Sequence, residues 1–353
     1  MTDRRREALT HVGGAIETQG DPDLAEILRR AWEAASERAG YDDALTHGVH
    51  AYPARMPPSL ARVLFDALAP RRVLDPFCGA GTVLVEARLA GAAATGVDLN
   101  PLALQLAAVK TRATTPAERG AFVRTLRAVA VASEARVRAR EPARAPLRGE
   151  DLRRYGPHVL KELAGLLAEI RAVRDRRIRA ALEMVFSAIV IKVSQQRAET
   201  AERLTPKRIR KGLSTEFFAR KGEELEARWA ELAEALPPHR RRAAWLGVRR
   251  GGLEEREIGA RRHLRERADR RRWDAERGAA LRVSAGRLGP HGLLVLVLGD
   301  GQIGGARIPA EDQVAALAPA AGLRPVARAS PPRRDWTGGP PRREHLLALQ
   351  RKR

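Results

Sequence analysis

The chain has 353 residues, with 44% apolar and 31% charged side chains, which excludes a disordered chain and allows a sizeable core. A net charge of +22 points to a polyanionic partner, most simply nucleic acid. One cysteine, Cys78, excludes a disulfide framework and a Cys-rich zinc module and fits a reducing, cytoplasmic setting.

In chain order, residues 1–45 read as a helical preamble, with Asp21-Pro22 starting a helix through Leu24, Ile27, Leu28 and Trp32. Residues 46–58 read as a loop, followed by a helix from Ser59 with Leu60, Val63, Leu64 and Leu68 on one face. Arg72–Phe77 is a predicted strand, Cys78–Thr82 a small-residue turn, Val83–Leu89 the opening of a helix, and Ala94–Leu99 a second strand. That is a βαβ unit. Helical patterns fill 116–141 and most of 155–235. Pro237-Pro238 closes that block, and the Arg-rich stretch 240–288 reads as helical. Gly292–Gly299 is a predicted strand whose Leu293–Leu298 are continuously apolar, the pattern of a strand in a parallel sheet covered on both faces, and that run is far shorter than the roughly 18 residues of a membrane span. No apolar leader follows Met1–Arg6, so no membrane partner is expected. Two further strands are predicted at Leu323–Ala329 and His345–Leu349.

The chemistry concentrates in Asp75, Pro76, Phe77, Cys78, Gly79, Ala80, Gly81 and Thr82. A strand ending in glycines lets the backbone pass close beneath a ligand, and the helix opening near Thr82 offers unpaired N–H groups. Asp98, at the tip of the next strand, is placed to accept hydrogen bonds from ribose hydroxyls. The string is neither a dinucleotide fingerprint nor a P-loop.

Asp75–Thr82 resembles motif I (D-P-F-C-G-S-G-T) of the S-adenosylmethionine-dependent amino-methyltransferases, which modify N4 of cytosine or N6 of adenine in DNA. Ala80 stands where Ser is usual. Val97–Pro101, with Asp98 and Asn100, resembles motif II, and His50–Met56, with Tyr52, the segment that closes over the cofactor. Looser likeness continues at Lys192–Arg197, at Trp245–Gly247 through Glu257–Arg262, and at Gly299-Asp300.

The resemblance implies an α/β Rossmann-like methyltransferase sheet with S-adenosyl-L-methionine as cofactor. Its expected contacts are Tyr52, Asp75, Pro76, Phe77, Cys78, Gly79, Gly81, Thr82, Asp98 and Asn100. It divides the chain into a helical N-terminal segment (1–45), a cofactor-binding half (46–150), a helical insertion (151–236) and a basic C-terminal half (237–353). Cys78 sits inside the cofactor turn, which disfavours a nucleophilic thiol. His47 and His50 read as loop histidines rather than metal ligands, so no metal is expected.

One part of the family pattern is missing. Amino-methylation on this fold uses an Asp/Asn/Ser-Pro-Pro-aromatic loop after strand four. Ser330-Pro331-Pro332 is followed by Arg333, and Leu236-Pro237-Pro238 by His239. Two strands are expected to be lost between 236 and 243, so the sheet is reduced in strand number. Val73–Phe77 is then expected directly beside Leu293–Leu298, with the Arg240–Arg272 helices packed outside.

The reading is a DNA methyltransferase acting on N4 of cytosine or N6 of adenine, degenerate if the catalytic loop is truly lost. The alternatives are an RNA guanine-N2 methyltransferase and an inactive cofactor- or nucleic-acid-binding relic. DNA is the expected partner, with RNA second; the oligomeric state stays open. Residues 237–353 hold 26 basic and 12 acidic side chains, which favours a phosphate-binding surface. However, 58 of the 65 basic residues are Arg, which also fits a GC-rich genome.

Overall fold

The computed structural model describes residues 14–37, 41–52, 55–143, 153–195, 207–237, 245–248, 270–303, 306–333 and 342–352. The first strand is β1 (Glu17–Gly20), followed by α1 (Pro22–Ser36) and α2 (Pro58–Leu68). The βαβ unit comes next: β2 (Arg72–Asp75), α3 (Thr82–Leu89) and β3 (Ala93–Asp98). Five helices follow: α4 (Pro101–Lys110), α5 (Pro116–Arg138), α6 (Pro157–Ala172), α7 (Arg176–Val190) and α8 (Leu213–Ala235). Then come β4 (Trp245–Val248), α9 (Arg270–Ala285), β5 (Leu293–Gly299), the small hairpin β6 (Gly301–Ile303) and β7 (Ala306–Ile308), and α10 (Ala310–Leu317). The chain closes with β8 (Leu323–Ser330), β9 (Pro332–Arg333) and β10 (Arg342–Arg351).

The fold is α/β, and its strands fall into two separate larger sheets. One runs β2-β3-β4, all parallel. The other runs β1-β8-β10-β5, antiparallel at every step, with β9 pairing the start of β10. This corrects the expected direct pairing of Val73–Phe77 with Leu293–Leu298: no ladder joins β2 to β5 among the described residues. The expectation rested on the cost of unpaired backbone groups, but at an open edge water can satisfy them. β5 is covered on both faces, as its sequence implied. Leu293, Val295 and Val297 pack on the core of α1 and α2, while Leu294, Leu296 and Leu298 pack on that of α9 and α10. The expected parallel pairing is corrected, however: the only partner of β5 among the described residues is the antiparallel β10, which returns beside it, and all seven residues stay half-buried. The central strand is instead β10, whose Leu346–Leu349 are fully covered.

Five strands escaped the sequence reading: the hairpin β6 and β7, the two-residue β9, and β1 and β4. β1 lies within the stretch read as wholly helical, and β4 lies within the stretch read as Arg-rich helix. Of that stretch, Arg270–Arg272 do open a helix, while 240–242 and 261–262 lie outside the described residues. The motif I strand is also shorter than predicted, ending at Asp75.

The largest core joins α4 and α5 to the helices α6, α7 and α8, through Leu106, Phe122, Leu126, Leu166, Met184 and Trp229 among others. Phe122 meets Trp229 edge-on at 5.1 Å between ring centroids. α1 lies on the other sheet, where the Trp32 indole donates to the Ala329 carbonyl at 3.1 Å. Trp32 is fully buried. Trp32→Ala is expected to lower unfolding free energy by about 3–5 kcal/mol. Trp32→Phe, which keeps most of the volume and drops the hydrogen bond, should cost about 1–3 kcal/mol. Urea denaturation of the two variants checks the order; an unchanged stability in Trp32→Phe would mean that the bond contributes nothing.

Candidate functional site

The turn between β2 and α3 takes its shape from two glycines. Gly79 and Gly81 have φ of +48° and +87°, the left-handed region that favours glycine. A Cβ on Gly81 would also lie 2.9 Å from the Ala107 Cβ of α4, so helix and turn approach more closely than any side chain permits. Cys78 N–H donates to the Val97 carbonyl at 3.0 Å and Gly81 N–H to the Cys78 carbonyl at 2.8 Å. The turn is thereby pinned against β3.

Asp98 completes the pinning. One carboxylate oxygen accepts from Gly79 N–H and the other from Asn100 N–H, both at 2.8 Å. A carboxylate has about four lone-pair sites, so each oxygen retains one for a further donor. Asn100 then caps α4, accepting from Leu102 N–H at 3.0 Å, while its amide donates to the Tyr52 hydroxyl at 3.2 Å. The Tyr52 ring lies against Gly79, 3.5 Å from where a Cβ would stand. Tyr52, Gly79, Asp98 and Asn100 therefore form one connected constellation. Thr82 is buried as the first residue of α3, and Pro76 is half-buried in the turn. Phe77 projects outward, 64% exposed, and its N–H donates to Asp75 at 3.1 Å.

The electrostatics of this turn are unusual. Burial pushes the Asp75 carboxyl up to about 6, against the hydrogen bond from Phe77, and the nearby charge of Asp98 adds to the rise. Burial, with Asp75 and Asp98 beside it, pushes the Cys78 thiol up to about 12. The thiol is therefore neutral and buried, in line with the reading of Cys78 as a packing residue. Neither Asp75 nor Asp98 has an ion-pair partner of 4.0 Å or less among the described residues. Two neighbouring carboxyls without a cation suit a ligand that brings positive charge.

The loop before α2 is fastened from below by residues that sequence reasoning missed. Glu86, fully buried on α3, accepts from the Tyr41 hydroxyl at 3.0 Å and meets His47 Nε2 at 2.6 Å. Burial lowers the His47 pKa even though Glu86 pulls the other way. Lys110, buried at the end of α4, donates to the carbonyls of His47 at 3.2 Å and His50 at 3.4 Å. Carbonyls at the end of α4 are also tied to side chains from distant parts of the chain. They accept from Trp229 (at Val109, 2.9 Å), Thr46 (at Lys110, 2.9 Å) and Arg88 (at Thr111). His47 and His50 thus serve the loop, and no group of three metal-binding side chains occurs among the described residues. Pro53 and Ala54 of the closing segment lie outside the described residues.

Of the two Pro-Pro candidates, Ser330-Pro331-Pro332 lies in the antiparallel sheet away from this turn, and Pro238 and His239 of the other lie outside the described residues. Leu236 is buried as the cap of α8. Ser330 is fully buried and meets His345 Nδ1 at 2.8 Å, while His345 Nε2 meets Asp300 at 3.0 Å. Asp300 also accepts from the N–H groups of Ala310 and Arg343 and from Arg307. Burial would raise the Asp300 carboxyl, but the hydrogen bond from His345 and those from the other three donors hold it well below the usual range. The Ser-His-Asp line is sealed from substrate and ties β8, β10 and the end of β5 together. The Trp245–Gly247 likeness falls on β4, and residues 257–262 lie outside the described residues.

Against known proteins, residues 47–154 match the family model UPF0020, "RMKL-like, methyltransferase domain". A type II methyltransferase, M.MvaI of Kocuria varians, is 37% identical over 79 residues, covering 21% of this chain and 17% of that protein. A tRNA (guanine(10)-N2)-dimethyltransferase of Methanothermobacter thermautotrophicus is 44% identical over 52 residues, 14% of this chain and 16% of that protein. The matches thus span about one sixth of the length of these curated relatives. A solved rRNA methyltransferase, aviRa of Streptomyces viridochromogenes, aligns over 89% of this chain and 94% of its own, with TM-score 0.32 and 17% identity. Residues 47–154 thus resemble a methyltransferase domain, and that resemblance implies S-adenosyl-L-methionine as methyl donor.

Lys110 gives the site a pH signature. Burial pushes its pKa down to about 7 from the ordinary 10.5, and Arg55 and Lys221 add to the fall. Between those values the unfolded chain binds a proton that the folded chain does not, so stability rises with pH across that window. Lys110→Met should remove this rise. Melting temperatures of both proteins from pH 7 to 10 check it; parallel curves would show that Lys110 carries no such linkage.

Proposed function

We propose that the chain binds S-adenosyl-L-methionine at the Asp75–Thr82 turn and belongs to a machinery that methylates an exocyclic amino group of a nucleic-acid base. The carrying observation is the pair Asp75 and Asp98, two carboxyls without a cation flanking a glycine turn that Asp98 itself braces. When bound, the cofactor supplies an electrophilic methyl group and a net positive charge. The free lone pairs of Asp98 suit its ribose hydroxyls, the backbone at Gly79 and Gly81 admits close approach, and Tyr52 bounds the turn on the side of the preceding loop. Pro76, Phe77, Cys78, Thr82 and Asn100 shape the same turn and are proposed as its lining. Amine attack on the methyl group needs positioning above all. The target grip of the related enzymes is a Pro-Pro-aromatic loop that the described residues do not provide, so we expect cofactor binding to exceed methyl transfer in this chain alone.

The substrate we favour is DNA, with N4 of cytosine or N6 of adenine as the methyl acceptor. RNA guanine N2 is the second reading, supported by the tRNA enzyme among the relatives. The charge of +22 suits either polymer. Tritiated cofactor with duplex DNA and with tRNA decides between them. Label in tRNA alone would replace the DNA reading, and label in neither would select the inactive relic.

Three measurements test the binding site and the partner. Asp98→Ala should weaken cofactor binding, since a hydrogen bond to a charged group is worth about 1.5–3 kcal/mol. Asp98→Asn, which keeps an acceptor for the turn, should fall between; unchanged calorimetric affinity in both variants would refute the assignment. Cofactor affinity should also rise as pH increases through about 6, because Asp75 ionises there and the cofactor is cationic. Asp75→Asn should flatten that rise; an identical profile would place Asp75 outside the site. Nucleic-acid affinity should fall with salt at a log–log slope of about −0.9 per phosphate contact. No binding at low salt would leave the Arg content as genomic bias.

A further inference from the structure

The two sheets end on open edges beneath the same helix. Among the described residues, β2 pairs with β3 on one side only, and β5 with β10 on one side only. α2 reaches both: Leu60 and Leu64 pack in the core that receives Leu293, Val295 and Val297, and Phe65 packs with Val73 around the core of α3. Free edges in natural sheets are blunted by charges, prolines or bulges. β5 has none of these; its sequence is Leu-Leu-Val-Leu-Val-Leu-Gly, and the bulge in this sheet lies between β10 and β8 instead. On the β2 side Leu74 is 43% exposed, with Phe77 beyond it. Both faces of β5 are covered, by α1 and α2 on one side and by α9 and α10 on the other, so a strand bridging the two edges would continue those layers. Such a strand would have to be apolar over several successive residues.

This sequence has no such strand to give. Every described strand already has a partner. The segments outside the described residues contain no two successive residues drawn from Val, Ile, Leu, Met, Phe, Trp and Tyr. A second copy offers only edge strands such as its own β5, whose other side is taken by β10, so it can cover one open edge but cannot bridge two. We propose that the open edges of β2 and β5 are an interaction surface for an apolar β-strand supplied from outside these 353 residues, which joins the two sheets into one. Recognition is by strand addition: main-chain hydrogen bonds give affinity, and the apolar layers select the side chains. The surface sits at the end of β2 where the cofactor turn begins, yet it does not depend on methyl transfer by this chain.

The test begins with hydrogen exchange of the purified full chain, in which the amides of Arg72–Asp75 and Leu293–Gly299 should lack protection on their open sides. Protection of both open edges in the chain alone would overturn the proposal, because the sequence would then close its own sheet. Next, a photoreactive amino acid is placed at Leu74 or at Phe77 in the full chain in its native host, with the exposed Val283 as control position. Adducts from both test positions should map to one apolar segment of another polypeptide. A synthetic peptide of that segment should then slow exchange at least tenfold at both edges. No adduct above the Val283 control, or a peptide that protects neither edge or only one, would sink the idea. Calorimetry with S-adenosyl-L-methionine on the same protein keeps the two readings apart. Lost strand capture with intact cofactor binding would overturn this inference alone, and the reverse would overturn only the cofactor assignment.

Discussion

Among the described residues no hydrogen-bond ladder joins the two larger sheets; one helix of eleven residues packs against the cores of both. Leu60 and Leu64 bind α2 to the antiparallel sheet, while Phe65 binds it to the parallel one. Everything else follows from that linkage. The cofactor turn hangs from the parallel sheet, and α1 and α2 share the core that covers the antiparallel sheet. A helix docked by non-directional apolar contacts fixes the spacing of the sheets less rigidly than a shared ladder would.

The candidate site, by contrast, is over-determined. One carboxylate, Asp98, holds the glycine turn with one oxygen and the start of α4 with the other. The far end of α4 is fixed by Trp229, Thr46 and Arg88, which come from three different parts of the chain. The helix thus acts as a strut between the cofactor turn and the loop that presents Tyr52. Lys110 is its fixing at the loop end, placed by geometry where its charge is costly.

The parts of the site that the sequence revealed are the local ones. Asp75–Thr82 carries its meaning in spacing: an acid at a strand end, two glycines, a helix start, then Asp98 on the next strand. Tyr52 and Asn100 were legible only through family likeness, and the structure brings both to Gly79 and Asp98. Lys110 was not legible, because a lysine in the last turn of a helix reads as an ordinary cation at the negative end of the dipole. Its burial is decided by α8 and by the loop, which are distant in sequence. β1 escaped because Glu-Thr-Gln-Gly is polar and fully exposed, so no alternation marks it. β5 was recognised as a doubly covered strand, but its pairing was not, since antiparallel order depends on where β10 returns.

The six apolar residues Leu293–Leu298 of β5 have a practical consequence for anyone who handles the protein. An uncharged, unbulged edge pairs with whatever strand is offered, including the same edge on another molecule. Such encounters scale with concentration, so the isolated chain should precipitate on concentrating well below its unfolding temperature, for want of a gatekeeping charge on that strand.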